Sequence, residues 1–274
     1  MTFATHYSAA GRRADARKWL NTTTRLLVAL GLLGFTLTAR SANATNAAAR
    51  AEGGFQKLRR SHQLNPTNAE AAWQFARACF DWAEFATNDT QRAQVAQLGI
   101  KASRAVIALH SNSVPGHYYL GMNLGQRART KSLGALPIVD EMEIEFKAAR
   151  TLDEKFDFAG PDRNLGLLYL DAPSIGSIGS RSKARTHLQR AVELAPEFPE
   201  NRLNLAEARV RWRDLEGARR ELDALEAGLN HAQAQFTGEA WSTAWADWEQ
   251  RLQKLRTQLQ TAPKPASSSK GAAQ

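Results

Sequence analysis

Residues Lys183 to Leu225 read KARTHLQRAVELAPEFPENRLNLAEARVRWRDLEGARRELDAL. Small and large apolar residues alternate along this stretch at helical spacing, so a small residue on one segment can face a large one on the next. Pro196 separates two such segments, because proline cannot continue a helix. The pattern predicts paired antiparallel helices, an arrangement that builds surfaces for holding other molecules. The small residues are Ala184, Ala191, Ala206 and Ala218, and the large ones are Leu188, Leu194, Leu205 and Leu222.

The same arrangement recurs along the chain as a large residue followed directly by a small one. The small residue lets a neighbouring helix approach closely, where a bulky side chain would clash. This recurrence predicts a tandem array of helix pairs. The pairs are Phe75-Ala76, Leu120-Gly121, Leu165-Gly166 and Leu205-Ala206. The predicted half unit spans 46–65, and the four predicted units span 69–112, 113–155, 156–198 and 199–229.

The first three units are longer than the fourth, which predicts long loops between their two helices. Insertions of this kind fall on one edge of a helical array, and that edge is often a binding face. The fourth unit has only a tight turn, Arg213 to Glu216. The predicted long loops are Asn88 to Arg92, Arg127 to Pro137 and Asp171 to Ser182.

A last helix is predicted from Gly238 to Gln260. Trp241, Trp245 and Trp248 share its apolar face, and charged residues occupy the opposite face. A terminal helix of this kind caps a helical array. Residues 261–274 are a polar, low-complexity tail that we expect to be disordered.

Composition places the chain among all-α proteins. Leu and Ala dominate, and no run of alternating β-branched residues predicts a strand. The net charge of +9 owes much to the first 44 residues, which hold six of the 36 basic and one of the 27 acidic residues. The remaining 30 basic and 26 acidic residues are close to balance, so the charge does not predict nucleic-acid binding.

The first 44 residues resemble a secretory signal peptide. A basic leader precedes the apolar run Leu26 to Leu37, and Ser41 to Ala44 places small residues where a signal peptidase cuts. We therefore expect a periplasmic or secreted protein that begins after Ala44. The alternative is an uncleaved segment that anchors the chain to the inner membrane, which would be its one link to a membrane.

The repeated pattern resembles the tetratricopeptide repeat (TPR) family. That family has Leu-Gly on its first helix, Ala and an aromatic residue or Leu on its second, and Pro afterwards. The match is best over 183–225 and weaker at 58–80 and 113–153; His117, Asp162 and Arg202 stand where the family has Trp. The resemblance implies an all-α, right-handed solenoid of antiparallel helix pairs over 45–260, here with long loops inside the repeats and a C-terminal capping helix.

A narrower resemblance concerns residues 174–196, SIGSIGSRSKARTHLQRAVELAP. This segment, the stretched units and the export signal are similar to the T-component of TRAP transporters. These are periplasmic helical proteins that accompany a substrate-binding protein, which is the partner that the resemblance implies. Several members are lipoproteins, whereas this chain has no Cys after its apolar run.

Matching the chain to the TPR pattern identifies a candidate concave groove on the first helices. Mixed aromatic and Arg side chains there would suit a peptide, or an apolar ligand with an acidic end. The alternative for any one of these residues is a place in the core. The candidates are Trp73, Arg77, Phe80, Tyr118, Met122, Arg163, Leu167, Leu203, Glu207 and Val210.

A second candidate site is an anion-binding loop formed by Ser180, Arg181 and Lys183. Helix N-termini with nearby cations can hold anions. The alternative is a plain connector that ends in a Ser182 helix cap. The loop lacks the GxxxxGK[ST] order of a nucleotide-binding P-loop.

Nothing in the sequence predicts catalysis, a metal site or a cofactor. No two histidines have the spacing of a helical metal site, and no GxSxG motif is present. The single Cys79 lies on an apolar helical face, so we expect a buried structural thiol. We therefore predict a non-catalytic protein that binds a partner or ligand, with an accessory role in TRAP-type uptake. The alternatives are a general periplasmic scaffold and a carrier of a small apolar ligand; self-association is open.

Overall fold

The computed structural model describes residues 36–131 and 134–262, with side chains from residue 46 onward. Within these ranges the chain forms ten α-helices, one short 3₁₀ helix and no strand. The α-helices are α1 (Thr36–Leu64), α2 (Ala69–Ala83), α3 (Asp89–Leu109), α4 (Val114–Ala128), α5 (Leu136–Leu152), α6 (Phe156–Asp171), α7 (Arg181–Leu194), α8 (Pro199–Arg211), α9 (Leu215–Gln235) and α10 (Ser242–Thr261). The 3₁₀ helix spans Glu239–Trp241.

The helices pack in chain order as antiparallel neighbours. Each helix from α1 to α10 contacts the next one, and α2 also contacts α4, α6 contacts α8, and α8 contacts α10. The first helices of successive pairs therefore form a shared inner layer, with the second helices outside it. This is a TPR-like helical solenoid, which confirms the predicted fold class.

Small residues allow the close helix contacts that the sequence predicts. A Cβ atom added at Gly121 would lie 2.6 Å from the ring of Phe146, and one at Gly166 would lie 2.6 Å from the side chain of Leu188. Ala76 and Ala206 are completely buried. A larger side chain at these positions would push two helices apart and open voids in the core.

The loops are shorter than the sequence predicts. Asn88 is the N-cap of α3, and its side chain accepts the Gln91 N–H at 2.9 Å, so the first predicted loop is mostly helix. Helix covers both ends of the second predicted loop, because α4 continues to Ala128 and α5 begins at Leu136, and the third predicted loop shrinks to 172–180. The tight turn of the fourth unit is confirmed and spans 212–214.

The start of α6 is a left-handed turn. Asp157, Phe158 and Ala159 have φ values of 53°, 54° and 60°. This region is uncommon for residues other than glycine and costs on the order of 1 kcal/mol per residue. Right-handed helix resumes by Pro161, whose ring suits the first turn of a helix.

The C-terminal helix is confirmed, although the 3₁₀ turn precedes it and α10 begins at Ser242. Trp241 and Trp248 are buried in an aromatic cluster with Phe198 and Phe236. Residues 263–274, which hold most of the predicted tail, lie outside the described residues. Cys79 is completely buried, and its burial raises the pKa of the thiol, as expected for a structural cysteine.

Helix α1 begins before the predicted half unit and joins the two ends of the array. It starts at Thr36 and packs on α2, and it also contacts α10. Residues 1–35, with most of the predicted signal peptide, lie outside the described residues. Among the described helices, none combines the length and the apolar character needed to cross a membrane.

Candidate functional site

One face of α2 carries a stripe of aromatic and charged side chains. Trp73, Arg77, Asp81 and Glu84 follow each other at spacings of three or four residues, which places them on one side of the helix. We call these four residues the α2 stripe. Trp73 Nε1 donates to Glu70 Oε2 at 2.7 Å, so the polar edge of the indole is fixed while its ring stays partly exposed.

The neighbouring helix α4 meets both ends of this stripe. The ring of Tyr119 stacks on Trp73 with the centroids 6.0 Å apart and an interplanar angle of 7°. At the other end, the Glu84 carboxylate accepts hydrogen bonds from Gln126 and from Arg129 Nη1, the latter at 3.1 Å. The stripe therefore lies in the inner layer between α2 and α4.

Asn123 holds α2 and α4 in register. Its Nδ2 donates to the backbone oxygens of Ala76 at 2.9 Å and Tyr119 at 2.8 Å. The side chain is completely buried, and a Cβ atom at Gly99 of α3 would collide with it. This buried amide joins three helices at one point, so it positions Tyr119 opposite the α2 stripe.

Asp81 is an unusual carboxylate at the centre of the stripe. Its side chain keeps 23% of its surface exposed, and Arg77 Nε lies 3.7 Å from its Oδ2. Burial raises its pKa to about 7; Arg77 opposes this shift, while the negative charges of Asp157 and Glu84 add to it. The carboxyl therefore changes charge near neutral pH, unlike an ordinary aspartate.

A buried polar network at the start of α6 lies close enough to Asp81 to act on its charge. Asp157 accepts from Tyr118 Oη at 2.5 Å and from Arg163 Nη2 at 2.9 Å. Arg163 also donates to the backbone oxygens of Asp157 and Phe158, at 3.1 and 2.9 Å. Its guanidinium thereby satisfies the carbonyls of the left-handed turn, and Asn164 joins by donating to Tyr118 Oη at 3.0 Å.

This geometry suits recognition of a peptide segment. The α2 stripe presents a partly exposed indole, a guanidinium and a titratable carboxyl along one side of the helix. Such groups stack on side chains and form charge-assisted hydrogen bonds to peptide groups. Interface hot spots are rich in Trp and Arg for these reasons.

The structure divides the predicted groove residues into two classes. Trp73, Arg77, Leu167 and Val210 are partly exposed. The remaining candidates on the first three units lie in the interior, where a partner cannot reach them without a rearrangement. These buried candidates are Phe80, Tyr118, Met122 and Arg163.

In the fourth unit α10 contacts the predicted residues, although Glu207 keeps 40% of its side chain exposed. Leu203 is completely buried. The Glu207 carboxylate accepts two hydrogen bonds from Arg251, both at 2.9 Å, and Arg251 also donates to Asn204 Oδ1 at 2.6 Å. Burial lowers the pKa of Arg251, but the charges of Glu207, Asp247 and Glu200 outweigh this and raise it.

The candidate anion loop has its own internal partners. Ser180, and not Ser182, is the N-cap of α7, and its hydroxyl accepts the Lys183 N–H at 3.3 Å. The Lys183 ammonium lies 4.9 Å from the centroid of the Tyr169 ring, and the Arg181 guanidinium lies 5.5 Å from that of Trp212. Both cations therefore make cation–π contacts within the chain.

No group of three or more His, Cys, Asp or Glu residues in 36–131 and 134–262 is arranged to hold a metal ion. Two histidines are instead paired with carboxylates. His117 Nδ1 lies 2.6 Å from Glu145 Oε2, and His187 Nδ1 lies 2.6 Å from Asp162 Oδ1. These pairs connect neighbouring helices.

Sequence reasoning did not identify several residues of this site. Asp81 and Glu84 continue the spacing of Trp73 and Arg77, so the helical period could have indicated them. Tyr119, Asn123 and Asp157 carried no such signal, because their roles depend on how adjacent units are placed.

Comparison with known proteins is consistent with this fold. A family model described as Regulator of microtubule dynamics protein 1-3 matches residues 38–135, about a third of the chain. No curated protein matches the sequence. The family-model match runs from near the start of α1 to the residue before α5.

Solved structures give the clearest similarity. A thermophilic TPR protein of Thermus thermophilus superposes with a TM-score of 0.57 at 18% identity, covering 80% of this chain and 96% of that one. PilF of Pseudomonas aeruginosa gives a TM-score of 0.47 at 16% identity over 81% of this chain and 93% of that one. MamA gives a TM-score of 0.46 at 14% identity, over 73% of this chain and 97% of that one. The first of these likenesses shows the TPR-like fold.

Proposed function

We propose that this chain is a non-catalytic interaction scaffold that binds a peptide segment of a partner protein with the inner face of α2 and α4. The observation that carries the proposal is the α2 stripe. Trp73 and Arg77 are partly exposed there beside Asp81, whereas Phe80, Tyr118, Met122 and Arg163 of the inner layer are buried. TPR-like solenoids commonly bind other proteins, which supports the same conclusion.

The chemistry of the stripe favours a peptide over a small apolar ligand. A carrier of an apolar molecule needs an enclosed pocket lined mainly by hydrophobic side chains. The α2 stripe instead offers Arg77 and Asp81 beside one indole. Groups of this kind pair with backbone amides and charged side chains of an extended segment.

Site-specific photocrosslinking tests the proposal. A photoreactive amino acid at position 73 should give a covalent adduct with the partner in cells, and Arg77→Glu should weaken that adduct. The matched control carries the same probe at Glu193, an exposed position on the outer helix α7. Equal adducts from both positions, or none from position 73, would refute the assignment.

A finer proposal concerns location and partner. The basic leader, apolar run and small residues up to Ala44 support export to the periplasm. The resemblance of 174–196 to TRAP T-components supports a periplasmic substrate-binding protein as the partner. Mass spectrometry of the mature chain should find Thr45 at its N-terminus; a full-length chain in the membrane fraction would favour an anchor.

Calorimetry with a purified TRAP substrate-binding protein tests the proposed partner. Lack of binding would refute this partner but leave the scaffold proposal intact.

A further inference from the structure

Positive charge in the outer layer is concentrated on α1, α3 and α7, although the chain after Ala44 is close to charge balance. From residue 46 to 64, α1 holds four basic residues and one acidic residue; α3 holds three and one, and α7 holds four and one. Helices α5 and α9 each hold two basic and four acidic residues. The charge is therefore unevenly distributed along the array.

The cations of α7 have partners within the chain. Arg190 Nη2 lies 3.0 Å from Glu154 Oε1. The guanidinium groups of Arg181 and Arg185 lie over the ring of Trp212, 5.5 and 5.4 Å from its centroid. Contacts of this kind already use the charge of α7, so little of it is left for another molecule.

Four cations of α1 and α3 are differently placed. Lys57, Arg59 and Arg60 of α1 and Lys101 of α3 are exposed, and we call them the basic face. No carboxylate of the described residues pairs with any of them, whereas the other Lys and Arg residues of the two helices, counted from residue 46, are paired. Burial and the nearby charge of Lys101 lower the pKa of His62 on α1, so the cation of α3 lies beside the end of α1.

Exposed leucines accompany the basic face. Leu64 is 72% exposed and follows Lys57 by seven residues and Arg60 by four, which places the three side chains on one side of α1. The buried Phe55 lies on the opposite side, against α2. Leu109, the last residue of α3, is 53% exposed. Because α1 and α3 both run antiparallel to α2, the two leucines lie at the same edge of the array.

This combination of groups fits an anionic lipid bilayer better than an acidic protein. Lys and Arg near a membrane surface are attracted by anionic headgroups. Exposed leucines enter the boundary between headgroups and acyl chains. A fluid lipid surface accepts a protruding leucine without a matching pocket, whereas a protein partner needs a pocket shaped for it.

We propose that the basic face is a docking surface for an anionic phospholipid bilayer, with Leu64 and Leu109 at the headgroup boundary. This contact holds the protein at a membrane surface without a spanning helix. It is additional to the leader, which is the one membrane link that the sequence predicts. It uses none of the residues of the α2 stripe, so it does not rest on the proposed function.

Co-sedimentation of the full chain with lipid vesicles tests the proposal. Vesicles of phosphatidylglycerol and phosphatidylcholine should bind the protein more tightly than phosphatidylcholine alone, and salt should weaken this binding. Lys57→Gln with Arg60→Gln should weaken binding to the anionic vesicles about thirtyfold, which is about fivefold for each cation. Leu64→Ser should weaken it about three- to tenfold, because less apolar surface enters the bilayer.

The matched control is Arg220→Gln with Lys254→Gln, which removes the same charge from exposed positions of α9 and α10. It should change vesicle binding by less than about twofold, and circular dichroism should show that both double variants are folded. Equal losses in the two double variants would mean that only net charge matters and would overturn the proposal.

Three other results would also overturn it. One is the absence of vesicle binding. Another is binding that depends neither on lipid charge nor on the basic face, as the apolar run Leu26 to Leu37 would give. The third is binding to poly-L-glutamate without binding to vesicles, which would identify an acidic protein as the partner. Vesicle binding needs no protein partner, so its outcome is independent of the crosslink at position 73.

Discussion

The first and fourth units place one pair of matching repeat positions, Trp73 and Leu203, in opposite environments. Trp73 and Arg77 of α2 correspond to Leu203 and Glu207 of α8 in the repeat pattern. In the first unit these side chains remain partly exposed. In the fourth, Leu203 is completely buried, whereas Glu207 keeps 40% of its side chain exposed while Arg251 of α10 binds its carboxylate. A repeat position therefore does not determine the exposure of its side chain; the helix that packs over it does.

The covering helices explain this difference. Helix α10 brings the cation Arg251 and the large ring of Trp248 against the fourth unit. The ring centroids of Trp248 and Phe198 lie 5.3 Å apart. Helix α4 brings Tyr119 against Trp73 but leaves part of the indole uncovered. The C-terminal unit thus closes the core, while the N-terminal unit offers a surface. Substitutions in both units test this contrast.

The largest effect is expected for Arg163→Met. The substitution leaves Asp157 buried without its cation and removes donors from the carbonyls of the left-handed turn. Breaking a buried pair from one side costs about 3–5 kcal/mol. Urea unfolding monitored by circular dichroism measures this loss. Arg211→Met, which removes an exposed pair with Asp171 at 2.6 Å, is the control and should hardly move the midpoint.

Arg251→Met tests how firmly α10 covers the fourth unit. Arg251 is nearly buried and is bound by Glu207 and Asn204, so its loss should cost about 2–4 kcal/mol of unfolding free energy. Combining it with Glu207→Gln should cost less than the sum, since both substitutions remove one interaction. Additive losses in urea unfolding would mean that the contact does not stabilise this unit.

The stability of the protein should depend on pH because of Asp81 in the first unit. Its folded pKa of about 7 lies above that of an unfolded aspartate, so the folded state binds the extra proton. The sign follows from linkage: stability falls as pH rises from about 4 to 7 and is lowest above 7, by on the order of 4 kcal/mol.

Asp81→Asn should remove this dependence because the amide does not titrate. The variant should match the wild type near pH 4 and exceed its stability near pH 8. Unfolding curves at several pH values measure the difference. Asp171→Asn, at an exposed carboxylate, is the control. A wild-type stability that rises between pH 5 and 8, and a variant that follows it, would contradict the assignment.

The sequence predicts the array but not its exposed surface. The large-small pairs at Leu120-Gly121 and Leu165-Gly166 indicate the helix contacts because the close approach itself requires a small residue. Tyr118 occupies a groove position by the same pattern, yet it is buried because the left-handed turn brings Asp157 and Phe156 against it. No short-range pattern predicts that turn, since Asp157 to Ala159 are not glycines.

The smallest loss of stability is expected for Trp73→Ala. This variant tests the contrast between the first and the fourth unit most directly. The indole is partly exposed and loses little burial, so the substitution should cost only about 1 kcal/mol, mainly from the stack on Tyr119. Leu203→Ala at the matching position removes a smaller side chain but leaves a cavity, which costs about 2–5 kcal/mol. Urea unfolding should therefore show the larger loss of stability for Leu203→Ala, although Trp73 has the larger side chain. If Trp73→Ala is the more destabilising, its indole belongs to the core, and the first unit offers no surface that the fourth lacks.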